Sequence, residues 1–307
     1  MALLIAVTDR DPGDLIAGLR ARLPDVDIRV WPDCGDPDDV TFVLAWRPPA
    51  GLFARLPNLR AVSSLGAGVD GLLAVPDLPA HVALGRVVGP RLAADMAGYL
   101  VSVIGGHRHR LDELRAAQRR ADWRPAPSRP APTIGLLGMG ALGRRAATAF
   151  DALGWTVHAW NRSGDGPDAV TMHRGDRGLD RLAALSHVLV NLWPLAREAR
   201  YILDARLFAR MRRDSLLINV GRGEHLVEAD LLAALNRNRP ARAVLDVFRT
   251  EPLPSDHPFW THPRIRMTPH CAAVTSADEA ADIVAESYRR VLRGRAPLGQ
   301  VDRSTGY

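Results

Sequence analysis

Three side chains of this sequence have the properties that a carbonyl reduction requires. Arg222 lies between two glycines, and Glu251 and His270 follow it along the chain. Reduction of a 2-oxo acid needs a cation that binds the carboxylate and polarises the carbonyl, and an acid that protonates the developing alkoxide. Arg222 is suited to the first task and His270 to the second, with Glu251 as the partner that holds the imidazole. Considered singly, each has another explanation: Arg222 could be a turn residue on the surface, Glu251 a helix cap, and His270 a histidine in a proline-flanked loop.

A glycine-rich loop upstream predicts the site of a hydride carrier. The apolar run at 133–137 leads directly into a G-x-G-x-x-G pattern, and a helix-forming segment follows. Gly138 permits the tight turn, Gly140 lets the backbone approach a pyrophosphate, and Gly143 allows close packing of helix on sheet. The free amides of the helix N-terminus then face the phosphates. We expect a nicotinamide dinucleotide at Gly138, Met139, Gly140, Ala141 and Leu142.

The turn that follows the apolar run at 155–160 indicates which dinucleotide binds. A site for NAD(H) carries an acid there, which accepts hydrogen bonds from the ribose hydroxyls. This chain has Asn161, Arg162 and Ser163 instead, which suit a 2′-phosphate and favour NADP(H). The alternative is that Arg162 is a surface residue, and that Asp165 or Asp168 binds the ribose of NAD(H).

The composition excludes several classes of protein. All 40 basic residues are arginine, so the chain lacks the lysine amine of pyridoxal-phosphate enzymes, Schiff-base aldolases and P-loop NTPases. The formal net charge is +6, but the arginines are scattered among acids, so we expect no nucleic-acid partner. Cys34 and Cys271 lie far apart and outside any zinc-ligand spacing, so we expect no metal site.

The opening residues also bear on location. No apolar run reaches the roughly 18–20 residues of a membrane helix, and acids follow the first apolar run too soon for a secretory signal. We therefore expect a cytoplasmic protein with no membrane contact.

The apolar runs fall into two series, each alternating with helical segments, which predicts two α/β domains with parallel sheets. A helical spacing from 91 to 120 and a proline-rich stretch at 123–132 separate the two series, and a helix that stops near Gly294 closes the chain. The segment AALSHV (183–188) is also predicted to be helical. The runs of the first series are 3–7, 27–31, 41–46 and 59–65, and those of the second are 133–137, 155–160, 186–193, 215–220, 241–248 and 264–270.

Three motifs in order, INVGRGEHLV (218–227), LDVFRTEPLP (245–254) and MTPHCAA (267–273), resemble the signatures of the D-isomer-specific 2-hydroxyacid dehydrogenases. Together with the glycine loop and SLGAGVDGL (64–72), they cover nearly the whole chain. The resemblance is to the glyoxylate/hydroxypyruvate reductase branch, and it implies two Rossmann-like or flavodoxin-like domains with the active site in the interdomain cleft. It places the substrate domain at 1–92 plus 276–307 and the dinucleotide-binding domain at 93–275.

The resemblance also assigns roles to individual residues. Arg222, Glu251 and His270 match the family's catalytic set. Asp246 matches an aspartate that binds the nicotinamide carboxamide, or it caps the next turn instead. Pro194 and Val220 match cofactor positions, although Leu195-Ala196-Arg197 replaces the threonines usual after Pro194.

Two features of the first domain point to a small substrate. The backbone amides of Ala67 and Gly68 match those that bind the substrate carboxylate, although a simple glycine turn has the same pattern. Trp46, in the segment LAWRPP, matches a tryptophan that faces the substrate in the reductase branch; the equal alternative is a tryptophan in the first core.

The activity implied is NAD(P)H-dependent reduction of glyoxylate or hydroxypyruvate. The alternatives are an NAD-dependent relative for phosphoglycerate-type or longer-chain acids, and a non-catalytic regulator that responds to dinucleotide. The apolar helical segment 91–120 and the Trp123 region suggest a homodimer contact, and the alternative is that a compact core buries them.

Overall fold

The apolar runs of the first series form a parallel sheet in the computed structural model, which describes residues 1–306. Residues 1–92, with the segment that begins at Val274, make up one compact unit, and residues 93–273 make up the second. This division lies close to the predicted domain boundaries. Each unit contains a sheet of parallel strands with helices between them, which confirms the predicted α/β class.

The sheet of the first unit has the order β2-β1-β3-β4-β5 within the described residues. Successive side chains of a strand point to opposite faces, so β1, which is buried throughout, contributes to two apolar clusters. The chain reverses its direction of travel across the sheet between β1 and β3, and ligands bind at such switch points in open parallel sheets. The elements are β1 (Ala2–Val7), α1 (Gly13–Arg22), β2 (Asp27–Val30), β3 (Val40–Trp46), β4 (Ala61–Ser64), α2 (Asp70–Leu73), β5 (Ala83–Arg86) and the closing helix α9 (Ala277–Leu292).

The sheet of the second unit has the order β12-β11-β10-β9-β6-β7-β8 within the described residues. Here the switch point lies between β6 and β9, both of which pair in register with their neighbours and end at the same edge. The helix α3 (Pro90–Arg108) runs into this unit. Its other elements are α4 (Leu111–Arg119), β6 (Thr133–Leu137), α5 (Ala141–Asp151), β7 (Thr156–Trp160), β8 (Thr171–His173), α6 (Gly175–Leu185), β9 (Val188–Asn191), α7 (Ala205–Arg210), β10 (Leu216–Asn219), α8 (Glu228–Asn236), β11 (Arg242–Leu245) and β12 (Ile265–Met267).

The structure corrects two predicted helical segments. The spacing from 91 to 120 predicted one helix, but α3 ends at Arg108 and α4 begins at Leu111 because Arg110 adopts a left-handed conformation, with φ of 59°. A residue with positive φ cannot continue a right-handed helix. The segment AALSHV is helical only as far as Leu185; the extended backbone of Ser186 ends α6, and β9 begins at Val188.

A buried carboxylate connects the closing helix of the first unit to the start of α3. Glu279 of α9 is 9% exposed and accepts hydrogen bonds from the backbone N–H groups of Arg91 and Leu92, at 2.7 and 3.0 Å. These are first-turn amides that have no partner within their own helix. Gly89 makes room for this contact, because a Cβ at that position would overlap the Glu279 carboxylate.

The described residues contain no helix that is both long and apolar enough to cross a membrane. A cluster of three or more histidine, cysteine, aspartate or glutamate side chains suited to a metal ion is likewise absent from residues 1–306.

Candidate active site

The glycine-rich loop lies at the switch point of the second sheet, between the end of β6 and the start of α5. Gly138 has a φ of 99°, and a Cβ there would meet the carbonyl oxygen of Leu192 at 3.1 Å. A Cβ on Gly143 would lie 2.4 Å from the carbonyl oxygen of Gly138, so the first turn of α5 packs directly on the loop. Gly140, by contrast, is exposed and faces open space. The loop therefore has the close packing and the open approach that a pyrophosphate requires.

The start of α5 leaves its amides available to an anion. Gly140 is the N-cap residue, and no side chain caps the helix. Exposed N–H groups at a helix N-terminus attract phosphate through their partial positive charge. Among the other predicted loop residues, Met139 is buried, Leu142 is half-buried and Ala141 is exposed at the first helical position. The residues present therefore fit a dinucleotide.

The turn after β7 has the hydrogen bonding of an Asx-type turn. The Asn161 side chain accepts from the backbone N–H of Gly164 at 2.6 Å and donates to the carbonyl of Asp165 at 2.6 Å. Arg162 is exposed and forms an ion pair with Glu198, whose side chain is also exposed. Exposed pairs of this kind contribute roughly 0–1 kcal/mol, so a phosphate dianion can displace the carboxylate. No acid stands at positions 161–163, where NAD sites place one.

A buried polar network holds the loop that carries Arg222. Asn191 at the end of β9 donates from Nδ2 to Asn219 Oδ1 at 2.9 Å and to His225 Nδ1 at 2.7 Å. The backbone N–H of Arg222 donates to the same His225 Nδ1 at 3.1 Å, and Asn219 Nδ2 donates to the Arg222 carbonyl at 3.0 Å. Because Nδ1 accepts two hydrogen bonds, it carries no proton. The backbone of Arg222 is thus fixed on both sides by fully buried groups.

Sequence reasoning missed this network. Asn191, Asn219 and His225 are each 0% exposed, and none was singled out as a site residue. A signal was available, because Asn191 and Asn219 each end an apolar run whose strand lies in a parallel sheet. A polar side chain there either lies at a ligand site or supports one.

His270 and Glu251 form the predicted pair. Nδ1 of His270 lies 2.8 Å from Glu251 Oε2, and Oε1 of the same carboxylate accepts from the backbone N–H of Phe248 at 2.9 Å. Burial alone would raise the pKa of Glu251, but the hydrogen bonds from His270 and Phe248 and the charges of His270 and Arg222 outweigh it, and the pKa is lowered. Glu251 therefore stays ionised, and Arg222 lies close enough to contribute to its electrostatic environment.

The turn that presents His270 is fixed by Asp246 at the end of β11. Oδ1 of Asp246 accepts from Thr268 Oγ1 at 2.6 Å and from the backbone N–H of Cys271 at 2.9 Å, and Oδ2 accepts from that of Ala272 at 3.1 Å. The backbone N–H of His270 donates to the carbonyl of Asp246 at 2.8 Å. His270 has a φ of 52°, a conformation that non-glycine residues adopt only when their surroundings impose it, and such outliers cluster at functional sites.

Tyr99 of α3 completes this turn. The Thr268 hydroxyl gives its proton to Asp246, so the Tyr99 hydroxyl is the donor in the 2.7 Å contact between Tyr99 and Thr268. Burial raises the pKa of Tyr99, so its hydroxyl keeps the proton that this bond needs. The aspartate predicted to bind the carboxamide is thus also the residue that shapes the histidine turn, and it is only 2% exposed.

The predicted substrate loop of the first unit lies at the end of β4. Ser64 Oγ donates to the carbonyl of Gly68 at 2.7 Å and accepts weakly from the N–H of Gly66 at 3.4 Å. Trp46 is half-buried. Its indole lies against this loop, since a Cβ on Gly66 would be only 3.0 Å from the ring. Its Nε1 donates to Asp9 Oδ2 at 3.1 Å. The indole thus both packs on the first core and borders the loop, so the two predicted alternatives for Trp46 do not exclude each other.

The structure therefore gathers Arg222, Glu251 and His270 in the second unit, and Trp46, Ala67 and Gly68 in the first. Of the remaining predicted cofactor residues, Pro194 is half-buried just after β9, and Val220 is buried after β10 with its N–H on the carbonyl of Asn191.

Comparisons with known proteins identify the family to which this chain belongs. Residues 101–272 match the family model described as D-isomer specific 2-hydroxyacid dehydrogenase, NAD binding domain. The chain belongs to this family of 2-hydroxyacid dehydrogenases.

Relatives of this 2-hydroxyacid dehydrogenase align with it over almost their full lengths. Glyoxylate/hydroxypyruvate reductase A of Photorhabdus laumondii subsp. laumondii is 38% identical over 97% of each chain, and that of Serratia proteamaculans is 41% identical over 95% of each. A Xanthobacter autotrophicus Py2 structure with NADPH and MES has a TM-score of 0.95 at 35% identity, and covers 100% of this chain and 99% of its own. A Sinorhizobium meliloti reductase with NADP and sulfate has a TM-score of 0.93 at 31% identity, with the same coverage.

Substitution at Gly140 of this dehydrogenase separates cofactor binding from folding. Gly140→Val adds a side chain where the protein leaves open space, so we expect weaker dinucleotide binding by about tenfold or more with an unchanged melting temperature. Gly143→Ala is the matched control, because its Cβ overlaps the Gly138 carbonyl and should lower the melting temperature as well. Calorimetric titration and thermal unfolding measure the two effects. Wild-type affinity in Gly140→Val would show that the dinucleotide does not approach here.

The lowered pKa of Glu251 predicts a contribution to stability that depends on pH. The charged carboxylate is favoured in the folded state, so its contribution is present above the unfolded pKa of about 4.3 and is lost as pH falls through the folded pKa. Urea unfolding should therefore show wild type more stable than Glu251→Gln at pH 7, with the difference shrinking below about pH 4. Glu286→Gln, on α9, is the control. A difference independent of pH would contradict the assignment.

Proposed function

We propose that this dehydrogenase reduces a small 2-oxo acid, glyoxylate or hydroxypyruvate, to the 2-hydroxy acid with NADPH. The observation that carries the proposal is the His270–Glu251 pair at 2.8 Å, with Arg222 near enough to help keep Glu251 ionised. These groups share a unit with a glycine loop whose packing fits a dinucleotide. The relatives named glyoxylate/hydroxypyruvate reductase A support the choice of substrate.

The residues divide the work of the reduction among them. Arg222 binds the substrate carboxylate and polarises the carbonyl, because a guanidinium makes two parallel hydrogen bonds to such a group. NADPH, when bound, supplies the hydride that adds to the carbonyl carbon. His270 gives its proton to the carbonyl oxygen, and Glu251 holds the ring in place. In the reverse direction His270 removes the hydroxyl proton.

Residues of the first unit set the size of the substrate. In this proposal the amides of Ala67 and Gly68 bind the carboxylate, and Trp46 limits the space beyond the carbonyl. The position of the indole against Gly66 supports this, because a large rigid ring beside the loop leaves room only for a short substrate.

The preference for NADPH rests on the turn after β7. Asn161 and Ser163 shape the turn, and Arg162 is the cation for the 2′-phosphate, with Glu198 as its exchangeable partner. The Xanthobacter and Sinorhizobium structures contain NADPH and NADP, which supports the same choice. Asp246, Pro194 and Val220 complete the proposed cofactor site, with Asp246 at the nicotinamide end.

Absorbance at 340 nm tests the activity directly. Purified protein should oxidise NADPH when glyoxylate or hydroxypyruvate is added, and NADPH should be used in preference to NADH. Preference for NADH would overturn the role of Arg162 and leave the reductase standing. Absence of turnover with every 2-oxo acid tried, despite measurable dinucleotide binding, would favour a regulator.

Arg222→Ala tests the proposed substrate cation. Loss of one electrostatic group that stabilises the transition state typically costs 10²–10³-fold, so we expect kcat/KM to fall by about this factor without unfolding the protein. Arg206→Ala is the control, because Arg206 belongs to the same unit and pairs with Asp180 on the surface. Turnover in Arg222→Ala equal to that of Arg206→Ala would refute the assignment.

The enzyme is proposed to act as a cytoplasmic homodimer. Trp123 is 96% exposed, and Leu111 and Leu114 of α4 are also exposed, beside a cavity of about 760 Å³ lined by α4 and the Trp123 segment. Exposed apolar groups gathered in this way mark association surfaces, and a second copy of the chain is the partner proposed. Cys34 and Cys271 are free thiols, in keeping with a reducing compartment.

Sedimentation velocity tests the dimer. Wild type should sediment at twice the mass of the chain, and Trp123→Asp should shift the equilibrium toward monomer, because the charge opposes burial of this surface. Trp260→Asp, at another exposed tryptophan, should leave the dimer intact. A monomeric wild type, or an equal effect of both variants, would exclude this surface.

A further inference from the structure

Arg86 is a half-buried cation for which the described residues provide no anion. It is the last residue of β5, the edge strand that pairs with β4, and its register partner is Ser64. Burial lowers the pKa of its guanidinium, and no carboxylate of residues 1–306 lies within ion-pair distance of it. An arginine keeps its charge under such conditions, and a partly desolvated charge without a counterion costs free energy.

Two other half-buried arginines of the same unit are each neutralised by two acids. Arg22 bonds to Asp278 and Asp282, both at 2.6 Å, and Arg29 bonds to Asp27 and Asp39. Within the described residues Arg86 contacts no acid, and neither does Arg303, which donates to the carbonyl of Val82. What distinguishes Arg86 is that its contact is with the predicted substrate loop.

The guanidinium of Arg86 is directed at the predicted substrate loop. Its Nη1 donates to the carbonyl oxygen of Ala67 at 3.5 Å. Its aliphatic stem packs near Gly299, since a Cβ at that position would lie 3.1 Å from Arg86 Cγ. The stem is thus held while the charged end reaches the loop.

The contact of Arg86 with the Ala67 carbonyl also affects the direction of the Gly68 N–H, because the two groups belong to one planar peptide unit. In a trans peptide the carbonyl oxygen of one residue and the N–H of the next point in opposite directions. Arg86 binds the carbonyl of Ala67, so the N–H of Gly68 points away from the guanidinium. Ser64 holds the following carbonyl, that of Gly68, at 2.7 Å. The short Ser64 bond holds one peptide unit beside the amide proposed to bind the substrate carboxylate, and the longer Arg86 contact favours one orientation of the other.

We propose that Arg86 is a positioning residue that turns the Gly68 amide toward the 2-oxo acid and adds positive charge behind it. The inference rests on the proposed function and deepens it, because it assigns a second cation to carboxylate binding. The positive charge at the carbonyl end of the peptide polarises its N–H and strengthens the bond to an anion. The substrate carboxylate is then the anion that Arg86 lacks among residues 1–306.

Three variants separate the charge of Arg86 from its hydrogen bond. Arg86→Lys keeps the charge, Arg86→Gln keeps a donor without charge, and Arg86→Met keeps neither. We expect the KM for glyoxylate, and the Ki of the unreactive analogue oxamate, to rise by about tenfold or more in Arg86→Met. Arg86→Lys should recover most of this loss and Arg86→Gln less. The kcat at saturating substrate and the affinity for NADPH should stay within about threefold of wild type.

Arg303→Met is the matched control. Arg303 is also half-buried and donates to a backbone carbonyl, that of Val82 at 2.6 Å, which directly precedes the same strand. Burial lowers the pKa of this guanidinium as well. A general destabilisation of the first unit would affect both variants alike, and thermal unfolding of each variant measures it.

The outcomes distinguish this inference from the proposed function. If wild type reduces glyoxylate while Arg86→Met keeps the wild-type KM and oxamate affinity, Arg86 has no positioning role. Equal losses in Arg303→Met, or a loss confined to kcat, would likewise overturn it. If wild type reduces no 2-oxo acid, the proposed function itself fails, and oxamate binding then has no basis.

Discussion

The carboxylate of Asp246 accepts hydrogen bonds from a side chain and two backbone amides of the turn that carries His270. These bonds help to offset the left-handed backbone of His270, which costs on the order of 1–3 kcal/mol. In this conformation of the turn the imidazole contacts Glu251. The orientation of the proposed acid therefore depends on one buried carboxylate at the end of a strand, supported through Thr268 by Tyr99.

Buried polar side chains also hold the backbone of the loop that carries Arg222. Its backbone is bonded on both sides by Asn219 and His225, which are buried together with Asn191. Breaking any of these buried hydrogen bonds would leave a polar group unpaired, so the bonds favour a single arrangement. The arginine side chain thus starts from a rigid backbone, which would limit the entropy lost in the carboxylate binding proposed for it.

Charged side chains of this protein have different kinds of partner. Arg22 and Arg29 form ion pairs that belong to the fold, whereas Arg86 contacts only a loop carbonyl, and Glu251 stays ionised although half-buried. Perturbed or uncompensated charges are more frequent at functional sites than elsewhere. Arginine serves both purposes in a chain without lysine, because its planar head donates to carboxylates and to carbonyls.

The sequence by itself determined the α/β class and the dinucleotide loop, and it predicted Arg222, Glu251 and His270 as the catalytic residues. Fully buried parallel strands appear as continuous apolar runs, and the glycines around a pyrophosphate are required at fixed spacing. Both features can therefore be recognised from residues that are close together in the sequence. The family resemblance added roles for residues such as Ala67 and Gly68. Only the tertiary structure showed the break at Arg110, the network of Asn191, Asn219 and His225, and the contact of Arg86 with the predicted substrate loop. Each of these depends on groups that are distant in sequence, or on one backbone angle, and periodicity and composition record neither.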